Sequence, residues 1–128
     1  MPDCNFVLLY VADPAASAAF YAALFDREPV EHSPAFAMFV LDSGFKLGLW
    51  ARHDVVPTLP ASAGTRDDAT GELIFAVADR AAVTTTHADW SRCGLPIVQA
   101  PVDMDFGYTF TALDPDGHRL RVYARSAA

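Results

Sequence analysis

The residues with the clearest chemical potential lie near the end of the chain, in DPDGHRLRVY, Asp114 to Tyr123. Its first four residues are typical of a tight turn, because Pro presets φ, Asp tolerates turn geometry and Gly supplies positive φ. In the strand predicted to follow, alternate side chains share one face: Arg119, Arg121 and Tyr123. Arg121 therefore places a permanent cation on that face, with N–H donors and no lone pair for a metal ion.

The rest of the sequence shows no pattern for covalent or metal chemistry. It contains no Ser/His/Asp, Cys/His or phosphate-loop arrangement, so we predict no catalytic residue. Four isolated histidines are interpreted as surface or core-edge residues: His32, His53, His87 and His118. Cys4 and Cys93 belong to no CxxC pair, and we interpret them as buried apolar residues rather than as a disulfide.

Composition limits the classes of partner. The 128 residues suit one domain, and 52% hydrophobic content is enough for a core. The net charge of −7 disfavours nucleic acid and anionic membrane surfaces, both of which attract basic proteins. No apolar run approaches the ~18 residues of a membrane span. The N-terminal MPDCNF lacks the features of a secretion signal, and we expect a cytoplasmic protein.

The elements of the first half must position any site there. NFVLLYVAD, Asn5 to Asp13, reads as a buried strand, and Asp13-Pro14 as the N-cap and first position of a helix. The helix AASAAFYAALF is predicted to turn Phe20, Tyr21 and Leu24 towards the core and to end at Arg27-Glu28-Pro29. Three strands are expected next, with Asp42-Ser43-Gly44 as a turn: Pro29 to Ser33, Phe36 to Leu41, and Phe45 to Ala51.

The same order of elements returns after a polar segment. Arg52 to Thr70 has no hydrophobic period and is interpreted as a linker. GELIFAVAD, Gly71 to Asp79, is a predicted strand ending in an N-cap, and Arg80 to Arg92 is a predicted helix closed by Cys93-Gly94. Its core-facing stripe is Val83, His87 and Trp90. Three strands follow: Ile97 to Val102, Phe106 to Leu113, and His118 to Arg125.

The two halves therefore form an internal repeat of about 65 residues, each with the order β-α-β-β-β. We predict an α+β fold with two βαβββ modules. Residues 1–128 are treated as one domain, with module one at about 1–52, a linker at about 53–70 and module two at about 71–128. Each module alone would expose an open sheet, so the modules must pack against each other or against a second chain.

Three segments carry a resemblance to a known family: YVADPAASAAFYAALF, GELIFAVAD and FGYTFTALDPDGHRLRVY. With them the chain resembles the vicinal oxygen chelate superfamily of glyoxalases, extradiol dioxygenases and bleomycin-resistance proteins over nearly its whole length. Within it, LLYVADPAASAAFYAALFDREPV, the tryptophan of LGLWA and DFGYTFTALDPDGHRLRV are most similar to phenazine-antibiotic-resistance proteins. This resemblance implies two βαβββ modules forming a curved mixed sheet around a cavity, a homodimer, and a bound aromatic drug without a catalytic metal.

The resemblance also indicates where metal-dependent members keep their ligands. Those four positions fall in this chain on Phe6, Gly48, Glu72 and Arg121. Only Glu72 is able to ligate, because Phe and Gly offer no donor and Arg does not deprotonate. We therefore predict no metal and no cofactor.

Strand alternation predicts what lines the cavity instead. One face of the first strand carries Phe6, Leu8 and Tyr10, and corresponding faces carry Gly48 with Trp50, Glu72 with Ile74, and Arg121 with Tyr123. We expect Glu72 and Arg121 to form an ion pair, because an unpaired buried charge is costly; independent solvation of each is the alternative.

Trp50 is the main candidate for stacking on a planar ligand, with Gly48 leaving room beside it, although a core or dimer-interface role stays open. Phe106 and Tyr108 follow the acidic Asp103 and Asp105. We expect these two aromatic residues to wall a flat pocket, together with Phe36 and Phe39, with plain core packing as the alternative. The aspartates either attract a cationic ligand or belong to a solvated loop.

These observations favour a homodimeric protein that binds and sequesters a planar hydrophobic aromatic compound, phenazine-like by resemblance. The predicted ligand-binding residues are Trp50, Phe36, Phe39, Gly48, Phe106, Tyr108, Glu72 and Arg121. Two alternatives stay open. One is a metal-independent lyase or isomerase with Glu72 as its base, although the nearby Arg121 would weaken that base. The other is an interaction module without a small-molecule ligand.

Overall fold

A computed structural model describes residues 4–56 and 72–126 of the chain. It divides into two compact units, residues 1–65 and residues 66–128. Each unit contains one four-stranded mixed sheet and one long helix, which confirms the α+β prediction and the two βαβββ modules. Most of the predicted linker, residues 57–70, lies outside the described residues, whereas Arg52–Asp54 forms a turn of 3-10 helix.

The first unit follows the predicted order of elements. They are β1 (Phe6–Val11), α1 (Pro14–Phe25), β2 (Glu31–His32), β3 (Phe36–Val40) and β4 (Lys46–Ala51). The order across the sheet is β1-β4-β3-β2. The β1–β4 pair is parallel and the other two pairs are antiparallel. The parallel pair arises because α1 carries the chain over the sheet before β4 returns beside β1.

Helix α1 has the predicted start and packs on one face of this sheet. The Asp13 carboxylate accepts from the Ala15 N–H at 3.0 Å, and Pro14 occupies the first turn. The helix ends one turn before the predicted Pro29, at Asp26, whose positive φ of 52° stops the helical path. Tyr21 is fully buried, and Phe25 packs edge-on against Phe39 with ring centroids 5.7 Å apart.

The second unit repeats the same topology. Its elements are β5 (Glu72–Ala76), α2 (Arg80–Arg92), β6 (Ile97–Met104), β7 (Gly107–Leu113) and β8 (Arg119–Arg125). The order across this sheet is β5-β8-β7-β6, with β5 parallel to β8 and the other pairs antiparallel. Because the parallel pair again joins the first and last strands of the unit, the internal repeat predicted from the sequence is present in the structure.

Helix α2 covers one face of the second sheet. Asp79 caps it by accepting from the Ala82 N–H at 2.8 Å. Trp90 packs edge-on against both Phe75 of β5 and Phe110 of β7, at 5.4 Å and 5.5 Å between centroids. Because α2 covers this face of the sheet, side chains that bind a ligand must come from the opposite face. In each unit, we call the sheet face that the helix does not cover the open face.

Burial overturns one further expectation. Cys4 and Cys93 are free thiols and both are exposed, so the prediction that they fill the core is wrong. The reason is position, because Cys4 precedes β1 and Cys93 follows the last turn of α2. Across the described parts of the chain, neither helix has the length and apolar character needed to cross a membrane.

Candidate functional site

A bidentate ion pair lies on the open face of the second sheet. Arg121 Nε donates to Glu72 Oε1 at 2.8 Å, and Arg121 Nη2 donates to Glu72 Oε2 at 3.0 Å. The strand register explains the contact. β8 runs parallel to β5, and Arg121 lies opposite Ile74, which is two residues after Glu72 on the same face of β5. The ion pair expected from the sequence is therefore present, and the alternative of independent solvation is not.

A layer of neutral polar groups supports the arginine from β6 and β7. Arg121 Nη1 donates to Gln99 Oε1 at 3.0 Å and to Thr109 Oγ1 at 3.3 Å. Gln99 Oε1 also accepts from the Thr111 hydroxyl at 3.0 Å, and the Thr109 hydroxyl donates to the Val122 carbonyl at 2.8 Å. Both threonines are fully buried, so the guanidinium is held in one orientation by three strands.

Above this polar floor lies an open cavity of about 440 Å³. Its lining combines the ion pair with three large side chains: Glu72, Arg121, Ile74, Phe106 and Tyr123. Phe106 and Tyr123 meet edge to face with centroids 5.8 Å apart, and the Arg121 guanidinium lies 5.7 Å from the Phe106 ring. Ile74 is 52% exposed and Phe106 is 44% exposed, so apolar surface is available to a ligand. A cavity with apolar walls and a small polar floor is the usual form of a small-molecule site.

Electrostatics make Glu72 a poor base. The hydrogen bonds from Arg121 lower the pKa of Glu72 below its ordinary value of 4.5, against a smaller opposing effect of burial. Arg119, opposite Glu72 in the register, lowers it further. The same contacts raise the pKa of Arg121. A general base near neutral pH needs a raised carboxylate pKa, so this geometry counts against the enzymatic alternative that uses Glu72.

The donor set of this face does not fit a metal ion. Both oxygens of the Glu72 carboxylate accept hydrogen bonds from Arg121, whose positive charge stands where a second ligand would be needed. Among residues 4–56 and 72–126, no three His, Cys, Asp or Glu side chains cluster as metal ligands would. The chemistry of the site therefore follows from hydrogen bonding and apolar contact.

The open face of the first sheet is aromatic. Trp50 lies directly between Tyr10 of β1 and Phe36 of β3 in the strand register. Tyr10 is 50% exposed, whereas Trp50 and Phe36 are half-buried. Trp50 and Phe36 thus share one face, as expected for residues that contact the same planar molecule.

Gly48 does not provide the room beside Trp50 that the sequence suggested. A Cβ at this position would lie 2.6 Å from Leu8 Cδ1 and 2.9 Å from Phe6 Cε1. The space above the glycine is therefore filled by side chains of β1, which the parallel pairing sets against β4. Gly48 allows this close packing and contributes no open surface.

Two predicted ligand contacts lie on the wrong faces of their strands. Phe39 is fully buried against Phe25, on the face covered by α1. Tyr108 lies one position from Thr109, so it points away from Arg121, and the Arg80 guanidinium at the start of α2 stacks on its ring at 3.9 Å. Strand alternation separates Phe39 from Phe36, which are three residues apart in β3. Phe106 lies in the turn before β7 and lines the cavity, whereas Tyr108 lies within β7 on the face that α2 covers.

Sequence reasoning missed two polar residues that bind Arg121, Gln99 and Thr109, and a third that binds Gln99, Thr111. A signal for the threonines was present, because the DPDG turn sets the pairing of β7 with β8 and places Thr111 opposite Arg121. Gln99 had no such signal, since β6 contains register shifts on both sides of it that its sequence does not specify.

Residues 4–122 match the Glyoxalase/Bleomycin resistance protein/Dioxygenase superfamily. The chain is 26% identical over 121 residues to the phenazine antibiotic resistance protein EhpR of Enterobacter agglomerans, covering 92% of this chain and 88% of that protein. The solution NMR structure of protein ATC0852 from Agrobacterium tumefaciens is 49% identical, with a TM-score of 0.85 and coverage of 99% and 100%.

The fold also recurs in more distant structures. A crystal structure of a glyoxalase/bleomycin resistance protein/dioxygenase family enzyme from Burkholderia phytofirmans has a TM-score of 0.79 at 22% identity. It covers 98% of this chain and is itself covered completely. At that identity the likeness concerns the arrangement of strands and helices.

Proposed function

We propose, from the premise that the chain belongs to the Glyoxalase/Bleomycin resistance protein/Dioxygenase superfamily, that it binds and sequesters a planar hydrophobic aromatic compound of the phenazine type without a metal ion. The weak relationship to a phenazine antibiotic resistance protein supports this ligand class. Binding needs no nucleophile and no base, in keeping with the side chains of the site.

The observation that carries the proposal is the cavity of the second unit. Its floor is an ion pair whose charges neutralise each other, and its walls are the exposed side chains of Ile74 and Phe106 with Tyr123. A neutral floor with apolar walls favours a flat, weakly polar molecule, which gains from burial of its rings and from edge contacts with aromatic walls. The lowered pKa of Glu72 leaves it an acceptor and removes it as a base.

Trp50 allows a separate optical test, of whether the open face of the first unit also contacts the ligand. It lies on the aromatic open face of the first unit, whereas Trp90, a residue of α2, is 8% exposed and packs in the core of the second unit. Titration with phenazine should quench the tryptophan fluorescence. Quenching should be lost in Trp50→Ala and kept in Trp90→Phe, the matched control. Equal quenching in both variants would exclude Trp50 from the ligand site.

The cavity itself is tested by calorimetric titration of phenazine into a matched pair of variants. Phe106→Ala removes an aromatic wall and should weaken binding about tenfold, from lost burial and edge contact. Tyr108→Ala removes a ring of similar size from the other face of the same segment and should leave the affinity within about twofold. If no planar aromatic compound binds the wild-type protein, the proposed function is wrong.

The proposal includes a homodimer in the cytoplasm. The resemblance to dimeric superfamily members supports it, as does the requirement that each open sheet face be covered. Light scattering coupled to size-exclusion chromatography should give a mass near twice 13.8 kDa. A monomeric mass over the micromolar range would refute the dimer, and fractionation of cells that express the protein tests its location.

A further inference from the structure

The polar groups of the cavity floor differ in how much hydrogen-bonding capacity remains after they satisfy each other. Arg121 has five N–H donors, and four of them reach Glu72, Gln99 and Thr109. The Glu72 carboxylate has about four acceptor positions, of which Arg121 uses two. The carboxylate side chain is also more exposed than the arginine, at 26% against 14%. Of the two charged groups that line the cavity, Glu72 thus keeps about two free acceptor positions, whereas Arg121 keeps one free N–H.

The surroundings keep Glu72 in its acceptor form. Arg121 and Arg119 both lower its pKa, so the group stays ionised near neutral pH and cannot donate a proton to a ligand. Gln99 is not part of the cavity lining: its amide oxygen accepts from Arg121 and Thr111, and its amide nitrogen donates to Met104 Sδ. The Tyr123 hydroxyl is able to act as donor or acceptor, so it does not select between ligands on that basis.

From this accounting we infer that the cavity selects planar aromatic compounds that carry an N–H or O–H donor on the edge of the ring system, and that the donor is bound by the Glu72 carboxylate. The inference rests on the proposed function and narrows its ligand class. Glu72 is then a specificity residue, and Arg121 with Gln99 positions its carboxylate. A ligand that presents only acceptors leaves the free lone pairs of Glu72 without a partner and loses the solvation they had in water.

The test compares two ligands of equal shape on the wild-type protein. 2-Aminophenazine and 2-methylphenazine have substituents of similar size, and the amine is neutral at neutral pH. The amino compound should bind about tenfold more tightly, the effect of one hydrogen bond to a charged group in a partly exposed site. Glu72→Gln should reduce this ratio to about threefold or less, since it weakens the acceptor. Tyr123→Phe should keep the ratio, and so should Glu31→Gln, which removes an exposed carboxylate of the first unit.

Each outcome has one meaning. Failure of both compounds to bind refutes the proposed function. Equal affinities for both leave that function in place and overturn the inference about the donor. A preference for the amino compound that persists in Glu72→Gln also overturns it, because another group then reads the donor. The comparison on wild-type protein needs no variant, so it still tests the preference for a donor if Glu72→Gln unfolds, and Tyr123→Phe then tests the other hydrogen-bonding group of the cavity.

Discussion

The ion pair between Glu72 and Arg121 should couple the stability of β5 to that of β8. We predict that Arg121→Met destabilises the protein, although methionine keeps much of the length of the aliphatic stem. The change removes two hydrogen bonds to a carboxylate and two to neutral acceptors on β6 and β7. It also leaves the Glu72 charge without its partner, which is the costly half of breaking a pair.

The expected magnitude follows from exposure. Exposed ion pairs contribute about 0–1 kcal/mol, whereas breaking a buried pair costs about 3–5 kcal/mol. With side chains 14% and 26% exposed, this pair lies between the two cases. We therefore expect Arg121→Met to lower the free energy of unfolding by about 2 kcal/mol. The coupling energy between Arg121→Met and Glu72→Gln in a double-mutant cycle should be about 1 kcal/mol.

Urea unfolding followed by fluorescence measures these energies. In a Trp50→Phe background, Trp90 is the remaining tryptophan and reports on the second unit, because it packs on Phe75 and Phe110. Coincidence of the fluorescence transition with the transition in circular dichroism tests whether unfolding is two-state. Arg119→Met is the matched control on the same strand and should change the unfolding free energy by less than about 0.5 kcal/mol.

One result would refute the reasoning. A coupling energy below about 0.3 kcal/mol would mean that Glu72 and Arg121 are solvated independently, which is the alternative that the sequence left open. A loss in Arg121→Met that Arg119→Met reproduces would mean that any arginine on this face matters equally, and that the bidentate geometry contributes nothing.

Three further predictions concern pH, backbone space and the turn before β8. The pKa of Glu72 is lowered in the folded protein, so its stabilising effect is present above 4.5 and lost as the pH falls through the lower folded value. The difference in unfolding free energy between wild type and Glu72→Gln should therefore be constant near neutral pH and shrink in acid, as urea titrations at several pH values will show. Gly107→Ala should cost about 3 kcal/mol or more, because its Cβ would lie 2.0 Å from the Ala124 carbonyl oxygen. Gly117 has a φ of 86° and open space around it, so Gly117→Ala should lower the free energy of unfolding by about 1 kcal/mol, measured by the same urea titration. Asp114→Ala should cost about 2 kcal/mol, since the buried carboxylate accepts from the N–H groups of Asp116 and His118.

The fold was largely predictable because local signals agree with it. Asp13-Pro14 and Asp79 cap the two helices as predicted, and the predicted bounds of α2, Arg80 to Arg92, are those observed. Gly94 has the positive φ, 86°, that ends such a helix. Caps, turns and hydrophobic alternation act over a few residues, so the amino-acid sequence contains them directly.

The site was predictable only in part, because face and space depend on neighbouring strands. Alternation correctly put Glu72 with Ile74 and Arg121 with Tyr123, and the pairing of β5 with β8 brought the two sets together. Phe39 was assigned to the pocket by its residue type, although alternation from Phe36 puts it on the helix-covered face. Gly48 illustrates a different limit, because the side chains that fill its space come from another strand.

The two units share one topology but place different side chains on the open faces of their parallel strand pairs. In the first, β4 runs parallel to β1 with Gly48 opposite Leu8; in the second, β8 runs parallel to β5 with Arg121 opposite Ile74. Gly48 and Arg121 are thus equivalent positions in the repeat, as are Phe6 and Glu72, the residues two places before Leu8 and Ile74.

Both equivalent pairs are in contact inside their own unit. The Phe6 ring occupies the space above Gly48, and the Glu72 carboxylate binds the Arg121 guanidinium. In both units, side chains that lie diagonally across the parallel strand pair are therefore in contact. In the first unit this contact is a ring over a glycine, and in the second unit it is a bidentate ion pair. In the first unit the Phe6 ring fills the open space, and in the second unit Arg121 binds one edge of the Glu72 carboxylate and leaves its other lone pairs free. A general base near neutral pH needs a raised carboxylate pKa, whereas Arg121 lowers the pKa of Glu72. This contact therefore favours recognition by shape and hydrogen bonding over proton abstraction.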